Sequence, residues 1–226
     1  MTAAPAIVAI DGPSGVGKST VARAVARRLG VPYLDTGAMY RALGLRVLEA
    51  GVDPASAEAV ARVATQARID LRHESDGRFA VLLDGVDPGD RLRSQEVSDV
   101  TSRISAYPAI RARMVALQRA CAASHGGVVE GRDIGTKVFP ETPHKFFLEA
   151  RPDVRFRRRH DQLEARGQHV PLAAVIDEIN ARDERDRSRS ESPLTYDTSY
   201  TRIDTSDLTP EQVVSRIVEA VTSRRR

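Results

Sequence analysis

Residues 7–20 carry the residue types and the spacing of a phosphate-binding loop, in the sequence IVAIDGPSGVGKST. Gly12, Gly17, Lys18 and Ser19 fit the pattern G-x-x-x-x-G-K-[ST]. The glycines let backbone N–H groups converge on phosphate oxygens, and the following helix presents the positive end of its dipole to them. We therefore expect Lys18 to reach the β and γ phosphates of a nucleoside triphosphate, and the Ser19 hydroxyl to bind Mg²⁺. The predicted nucleotide-binding residues of this loop are Gly12, Ser14, Gly15, Val16, Gly17, Lys18, Ser19 and Thr20.

The elements on either side of this loop support the interpretation. An apolar run at residues 7–10 predicts a buried strand, and a helical pattern begins near Lys18 and ends at Gly30. A glycine-rich turn that binds nothing is the alternative. A strand before the pattern and a helix after it are the context that the motif requires, so we expect a nucleotide site.

Two other predicted strands are each followed by polar residues. Residues 31–34 lead into 35–41, which read DTGAMYR, and the short strand 128–129 leads into 130–135, which read EGRDIG. In open parallel sheets, ligands bind outside the carboxyl ends of the strands. Arg41 is therefore a candidate phosphate clamp, although an arginine at such a position is more often a surface residue. The turn after the second strand is expected to supply further active-site residues.

Arginines cluster in two later segments. Pro152 suits the first turn of a helix that would place Arg155, Arg158 and Arg159 on one face, before a loop at residues 167–171. These three side chains are predicted to close over ATP and to exclude water from it.

The second arginine cluster lies in a helix predicted over residues 172–189. It places Arg182, Asp186 and Arg189 on one stripe. A solvated helix with ion pairs along its own surface is the alternative explanation of this stripe. If a triphosphate and its acceptor bind nearby, convergent arginines that neutralise phosphate charge explain it better.

Composition limits the class of protein. The chain has 226 residues, a mass of 24.7 kDa and a formal net charge of +3, so we expect one domain, 1–226, with insertions. No apolar run approaches the ~20 residues that span a bilayer, and no signal-peptide pattern begins the chain, so we expect a cytoplasmic protein without a membrane partner. The single cysteine, Cys121, excludes an internal disulfide, and the five histidines show no metal-binding spacing.

Alternating strand and helix patterns predict an α/β fold with a parallel sheet flanked by helices. The period changes to strand alternation around the turn at residues 75–77, which predicts an antiparallel hairpin from 69 to 83, with 86–92 as a possible third strand. A weak strand is predicted at 201–204. Residues 209–212 form a capping box with proline at the first position of a terminal helix.

Two classes of nucleotide-binding protein do not fit. A GTPase switch needs Asp-x-x-Gly, which is absent from the sequence, and Asn-Lys-x-Asp, which cannot occur because the only asparagine, Asn180, precedes alanine. Large motor ATPases need a longer chain. A small phosphotransferase remains, whose catalysis consists mostly of positioning and charge neutralisation by lysine, arginine and Mg²⁺.

Five segments, in this order and spacing, resemble bacterial cytidylate kinases. They are IDGPSGVGKST, DTGAMYR, RSQEVSDVTSRIS, VVEGRDIGT and ARDERDRSR, and the resemblance runs from about residue 7 to 221. It implies transfer of the γ-phosphoryl group of ATP to CMP or dCMP with Mg²⁺. It also implies a P-loop kinase core, an acceptor-binding insert at about 42–104 with a small antiparallel sheet, and a short lid at about 152–170.

The resemblance also implies site residues. Arg41, Arg132 and Arg189 would hold the acceptor phosphate, with Arg182 and Asp186 near the ribose. Thr36 would belong to the substrate site, Ser102, Arg111 and Asp133 would read the cytosine, and Arg158 would bind ATP from the lid. The expected catalytic residues are Lys18, Arg132, Arg158 and Arg189.

Two alternatives stay open at this point. One is a P-loop kinase for another small acceptor, such as UMP. The other is a basic, nucleotide-dependent RNA-binding protein, but most arginines of the second cluster alternate with acidic residues, and aromatic side chains are not interleaved with them. We therefore expect nucleotides as ligands, no nucleic-acid partner and a monomer.

Overall fold

The computed structural model describes residues 7–189 and 191–223. Its main sheet has five parallel strands in the order β2-β5-β1-β6-β7, so the strand that precedes the phosphate-binding loop lies in the middle. This confirms the predicted parallel sheet flanked by helices. The strands of this sheet are β1 (Ile7–Asp11), β2 (Tyr33–Asp35), β5 (Gly127–Gly131), β6 (His144–Glu149) and β7 (Thr201–Asp204).

Helices cover both faces of the sheet. Short turns of other helix types occur at Gly89–Arg93, which is 3₁₀, and at Ile134–Val138, which is a π-helical turn. Within the described ranges, no helix is both long enough and apolar enough to cross a bilayer. The α-helices are α1 (Lys18–Leu29), α2 (Thr36–Glu49), α3 (Ala57–Gln66), α4 (Gln95–Ile104), α5 (Pro108–His125), α6 (Pro152–Glu164), α7 (Leu172–Ser188) and α8 (Pro210–Ser223).

The alternation of side chains along β1 divides the core into two layers. Val8 and Ile10 pack with α1 and α8, whereas Ala9 joins a second cluster that includes Met39 of α2 and Val60 of α3. Successive strand residues point to opposite faces, which is why one short strand serves both layers. Because β1 is covered on both sides, the loop that follows it starts from a fixed point.

The predicted hairpin is confirmed, but the predicted third strand is wrong. Strands β3 (Ile69–His73) and β4 (Phe79–Leu83) pair antiparallel and form a separate two-stranded sheet. After β4 the backbone turns at Asp84 and Gly85, both with positive φ, and residues 86–92 contribute one bridge and the 3₁₀ turn. Pro88 and Gly89 fall inside this stretch and do not sustain a ladder.

The predicted insert at 42–104 contains the hairpin, α3 and α4. Its apolar side chains, such as Val60 and Phe79, belong to the same cluster as Leu34 and Val129 of the main sheet. The insert therefore packs against the sheet through a shared core. The later elements follow the sequence prediction closely, including the capping box, in which the Thr209 amide donates to Gln212 Oε1 (2.8 Å) and the Gln212 amide to Thr209 Oγ1 (3.3 Å).

Candidate active site

A cavity of about 800 Å³ opens at the carboxyl ends of β1, β2 and β5. Its walls come from the phosphate-binding loop, the start of α2, α5, the turn after β5, α6 and α7. The residues predicted from the sequence to bind nucleotides line this cavity, except Gly12, Ser102 and Arg155 of the predicted lid. Segments that are far apart in the chain thus meet at one place.

The phosphate-binding loop has the backbone shape that its sequence predicts. Gly12 and Gly15 have φ of 149° and 80°, and a Cβ atom at Gly15 would lie 2.7 Å from the carbonyl oxygen of Arg155. Gly17 caps α1 without a side-chain hydrogen bond. The first N–H groups of α1 are therefore left for an anion at the positive end of the helix dipole.

Lys18 is held beneath this loop. Its side chain is buried, and its Nζ donates a hydrogen bond of 2.6 Å to the carbonyl oxygen of Pro13. Burial, followed by the positive charges of Arg132 and Arg182, lowers the pKa of Lys18 well below its ordinary value. An anion placed among these groups relieves their repulsion, so the arrangement is poised to bind phosphate.

A second cationic group lies across the cavity. Arg132 Nε donates to Asp186 Oδ2 (2.9 Å), and Arg189 forms an ion pair with the other oxygen of the same carboxylate. Desolvation and then the charges of Arg132 and Arg41 lower the pKa of Arg182 to about 9, although Glu178 opposes the shift. Desolvation and the charge of Arg111 likewise lower the pKa of Arg189 to about 10. One carboxylate faces several arginines, and the excess positive charge suits an anionic ligand.

Within the described part of α7, the one ion pair along the helix itself joins Asp186 to Arg189 at its C-terminal end. Asp183 and Asp186 are buried and pair with arginines of other elements, Asp183 with Arg155 of α6 and Asp186 with Arg132. These pairs join α7 to the cavity walls. The stripe therefore faces the site.

Arg111 and Asp133 form a buried ion pair, with each residue 5% exposed. Arg111 also donates to the carbonyl oxygen of Ser105 (3.2 Å). Burial opposes the charge of Arg111, but the adjacent Asp133 carboxylate outweighs it and raises the pKa of the guanidinium. Two opposite and fully oriented charges thus lie side by side in the wall of the cavity.

Several buried polar atoms in this part of the described chain lack a hydrogen-bond partner. Buried polar groups in proteins are nearly always paired, so a concentration of unpaired ones around a cavity is typical of a ligand site. The guanidinium carbon of Arg111 lies 5.7 Å from the centre of the Tyr40 ring. The unpaired atoms of residues that line the cavity include Tyr40 Oη, Arg41 Nε, Arg111 Nε and Arg189 Nε, and the hydroxyl of Ser102, which follows the lining residue Thr101, is also unpaired.

Residues at the start of α2 are fixed by neighbouring carbonyl and carboxylate groups. Thr36 Oγ1 donates to the carbonyl oxygen of Glu130 (2.7 Å), and Asp35 caps the helix through the amide of Ala38 (3.0 Å). The other Asp35 oxygen accepts from Arg41 Nη2 (2.8 Å). The clamp position predicted for Arg41 is thus at the cavity, with its guanidinium held by Asp35.

The three arginines of the predicted lid have different surroundings. Arg155 is buried and donates to the carbonyl oxygen of Ser14 (2.7 Å) as well as pairing with Asp183. Arg158 donates to Oγ1 (3.0 Å) and to the carbonyl oxygen (2.8 Å) of Thr205. Arg159 approaches Glu178 (3.6 Å). Arg155 anchors α6 to the phosphate-binding loop, which the helical spacing alone did not indicate.

Glu130 is a site residue whose importance the sequence analysis did not single out. It is the penultimate residue of β5, is buried, and accepts a hydrogen bond from the Tyr33 hydroxyl. Burial and then the charge of Asp35 raise its pKa, while a hydrogen bond from Ser19 is among the effects that lower it. A glutamate at the end of an otherwise apolar strand was the available signal.

The donor set fits Mg²⁺ better than a metal held by protein alone. Ser19 is exposed in the first turn of α1, at the mouth of the loop. The described residues contain no cluster of three or more histidine, cysteine or carboxylate side chains that could hold a metal ion. Mg²⁺ usually keeps several waters and binds through one or two protein ligands together with substrate phosphates, so a single hydroxyl suits it.

The sequence matches the family model described as cytidylate kinase over residues 8–223. The chain is 48% identical over 223 residues to the cytidylate kinase of Corynebacterium glutamicum, covering 98% of this chain and 96% of that protein. It is 44% identical over 219 residues to that of Pelotomaculum thermopropionicum, covering 97% of each.

A solved structure from Eubacterium ventriosum, described as an uncharacterized protein, shares the fold. It has a TM-score of 0.51 and 15% identity, covering 96% of this chain and 98% of that one. That likeness supports the architecture alone. The match of the family model to nearly the whole described chain, together with relatives above 40% identity over nearly their full length, identifies the family: this chain belongs to the cytidylate kinases.

Proposed function

We propose that this chain transfers the γ-phosphoryl group of ATP to CMP or dCMP, giving ADP and CDP or dCDP. The observation that carries the proposal is the position of the Arg111–Asp133 pair. It lies in the wall of the same cavity as the phosphate-binding loop and the cluster of Arg132, Arg182 and Arg189. One cavity thus offers a site for a triphosphate, a site for a second phosphate and a pair of groups able to read a base.

The donor site is the phosphate-binding loop. The backbone N–H groups of residues 14–20 and the Lys18 ammonium would hold the β and γ phosphates, and Arg158 would approach ATP from α6. Ser19 would hold Mg²⁺, which would neutralise negative charge that develops on the phosphates during transfer. Lys18 already donates to Pro13, so its ammonium is oriented before ATP binds.

The acceptor site is the arginine cluster. Arg41, Arg132 and Arg189 would hold the acceptor phosphate, and Arg182 with Asp186 would contact the ribose. An acceptor phosphate oxygen attacks the γ phosphorus, the bond from that phosphorus to the bridging oxygen breaks, and ADP leaves. Because both reactants carry negative charge, the excess of arginines brings them together and stabilises the transferring group.

The base site would discriminate by hydrogen-bond direction. Cytosine presents an N4 amino donor where uracil has an O4 acceptor, and an ionised carboxylate can only accept. Asp133 would accept from N4, and Arg111 would donate to N3 and O2. Ser102 has a buried hydroxyl without a partner and would complete the recognition. UMP, the alternative acceptor, would leave Asp133 facing a carbonyl oxygen.

We propose nucleotides as the ligands and a cytoplasmic monomer as the working form. The RNA-binding alternative has less support, because Arg155, Arg158 and Arg132 are engaged within the fold and do not form an open basic surface.

A panel assay tests the proposal. The chain is incubated with ATP and Mg²⁺ and with CMP, dCMP, UMP or AMP in turn, and ADP release is followed. Rapid turnover with CMP and dCMP is expected, with UMP slower by on the order of 10²-fold in kcat/KM. Equal rates with UMP would favour the alternative acceptor. RNA binding without turnover of any monophosphate would favour the other alternative.

A further inference from the structure

Asp11 ends β1 and is completely buried at a point where three hydrogen-bond donors converge. Its Oδ1 accepts from the amide of Ile134 (2.9 Å). Its Oδ2 accepts from the amide of Gly135 (2.9 Å) and from the hydroxyl of Tyr200 (2.8 Å). Neither Asp11 nor Tyr200 lines the cavity. This carboxylate therefore acts on the protein and not on a ligand.

The two amides belong to the start of the π-helical turn Ile134–Val138, directly after Arg132 and Asp133. The first N–H groups of a helical turn have no partner within the turn, so they need an external acceptor. Asp11 supplies it for both. The path by which the chain leaves Asp133 is fixed by this one side chain.

Tyr200 holds the same turn from the other side. A Cβ atom at Gly135 would lie 2.5 Å from the Tyr200 hydroxyl oxygen, so glycine is needed for the approach. The amide of Gly135 and the hydroxyl of Tyr200 can then share one carboxylate oxygen. The turn is thus enclosed between β1 and the segment before β7.

The next residue in the chain after Asp11 is Gly12, where the phosphate-binding loop begins. A side chain at Gly12 would clash with the carbonyl oxygen of Leu148 in β6, so the start of the loop is packed against the sheet. Asp11 therefore connects the donor site, through the chain, with the acceptor site, through hydrogen bonds. The connection between the two phosphate sites is therefore short: it runs from Gly12 through Asp11 to the amides of Ile134 and Gly135.

We propose that Asp11 is a positioning residue for the acceptor nucleotide: through the amides of Ile134 and Gly135 it holds Arg132 and Asp133 at a fixed distance from the phosphate-binding loop. The inference rests on the proposed function, since it takes Arg132 and Asp133 as acceptor contacts. Phosphoryl transfer consists largely of positioning, and a displacement of about 1 Å can cost on the order of 10²-fold in rate.

The charge of Asp11 supports this role. Burial raises the pKa of Asp11 to about 6, against the hydrogen bonds from Gly135, Ile134 and Tyr200, which lower it. The negative charge of Asp133 also raises the pKa of Asp11. The charge of Asp11 in turn raises the pKa values of Lys18 and Arg132. A neutral side chain would be easier to bury but would not accept from all three donors, because an amide offers one oxygen.

The substitution Asp11→Asn tests the proposal. CMP affinity, the affinity of a non-hydrolysable ATP analogue, and kcat/KM for CMP and UMP are measured. We expect CMP affinity to fall about 10-fold or more, with a lower CMP to UMP ratio, while affinity for the ATP analogue changes less than about threefold. Asp207→Asn is the matched control, because Asp207 is an exposed carboxylate bound to Arg151 at 2.7 and 2.9 Å.

The outcomes separate this inference from the proposed function. Wild-type protein that does not phosphorylate CMP refutes the function. Active wild-type protein with unchanged CMP affinity in Asp11→Asn, or with equal losses for CMP and for the ATP analogue, refutes the positioning role. The same assay therefore distinguishes the two failures.

Tyr200→Phe provides a second test, which decides the matter if Asp11→Asn does not fold. Removing the hydroxyl removes a hydrogen bond that lowers the pKa of Asp11. A larger fraction of Asp11 is then protonated near neutral pH. We expect the ratio of CMP dissociation constants at about pH 6.5 and about pH 8 to be larger in Tyr200→Phe than in wild type. Titration of the CMP phosphate changes the dissociation constants of both proteins by the same factor, so it does not alter the comparison between them. A loss that is equal at both pH values would contradict the proposal.

Discussion

Arg111 lies on α5 and Asp133 follows β5, yet their side chains form an ion pair that is almost completely removed from solvent. A buried ion pair contributes little net stability, because desolvation offsets the attraction between the charges. It does fix the direction of two charges at the wall of the cavity. We therefore interpret the pair as the group that distinguishes cytosine from uracil.

Asp133→Asn replaces a group that can only accept by one that can also donate. We expect the ratio of kcat/KM for CMP to that for UMP to fall by on the order of 10²-fold. The reason is that the asparagine amide can donate to the uracil O4 atom, which the aspartate leaves unpaired in a buried site. Both acceptors are measured at the same pH and Mg²⁺ concentration. An unchanged ratio with unchanged ATP affinity would mean that the base is read elsewhere.

Lys18→Ala removes a buried ammonium from the loop. Since Lys18 would supply its charge to the transferring phosphoryl group, we expect kcat to fall by on the order of 10²-fold or more, while the variant still folds. Lys137→Ala, at an exposed lysine, is the control. Near-normal turnover in Lys18→Ala, with thermal unfolding unchanged, would remove this residue from the mechanism.

The lid prediction can be made sharper with the structure. Arg155 ties the start of α6 to Ser14, whereas residues 165–167 and 169, which follow the end of that helix, are exposed. We expect hydrogen exchange to be slow near Arg155 in all states, and residues 159–170 to become protected only with a non-hydrolysable ATP analogue plus CMP. Equal protection of residues 159–170 with and without ligands would contradict a lid.

The raised pKa of Asp11 also predicts that the free energy of unfolding depends on pH. Its pKa is raised from 3.8 to about 6 in the folded protein, so folding favours its protonated form. The contribution of the protonated Asp11 to the free energy of unfolding is fully present below about pH 4 and is lost as the pH rises through about 6. This loss amounts to about 3 kcal/mol in total. In urea unfolding, Asp11→Asn should therefore gain stability relative to wild type between about pH 4 and about pH 7.5. A difference that is constant with pH would contradict the raised pKa.

Local patterns predicted much of this fold. The phosphate-binding loop, the hairpin and the capping box at Thr209 each depend on a few neighbouring residues, and each forms as expected. The wrong third strand has a local cause, since Pro88 and Gly89 interrupt it. The position of both arginine clusters could be inferred only once a triphosphate site was assumed.

Non-local contacts could not be predicted in the same way. Helical spacing left ion pairs along the surface of α7 as an alternative, but Asp183 pairs with Arg155, 28 positions away. Asp11 likewise binds amides more than 120 positions away. Such contacts depend on the strand order β2-β5-β1-β6-β7, which periodicity does not determine.

The most direct test of the whole account is product analysis with the wild-type chain. ATP, Mg²⁺ and CMP are incubated with the protein, and CDP and ADP are quantified by chromatography, with UMP in a parallel reaction. The account predicts CDP and ADP in equal amounts, and UDP formation slower by on the order of 10²-fold. ADP without CDP, or UDP formed as fast as CDP, would contradict it.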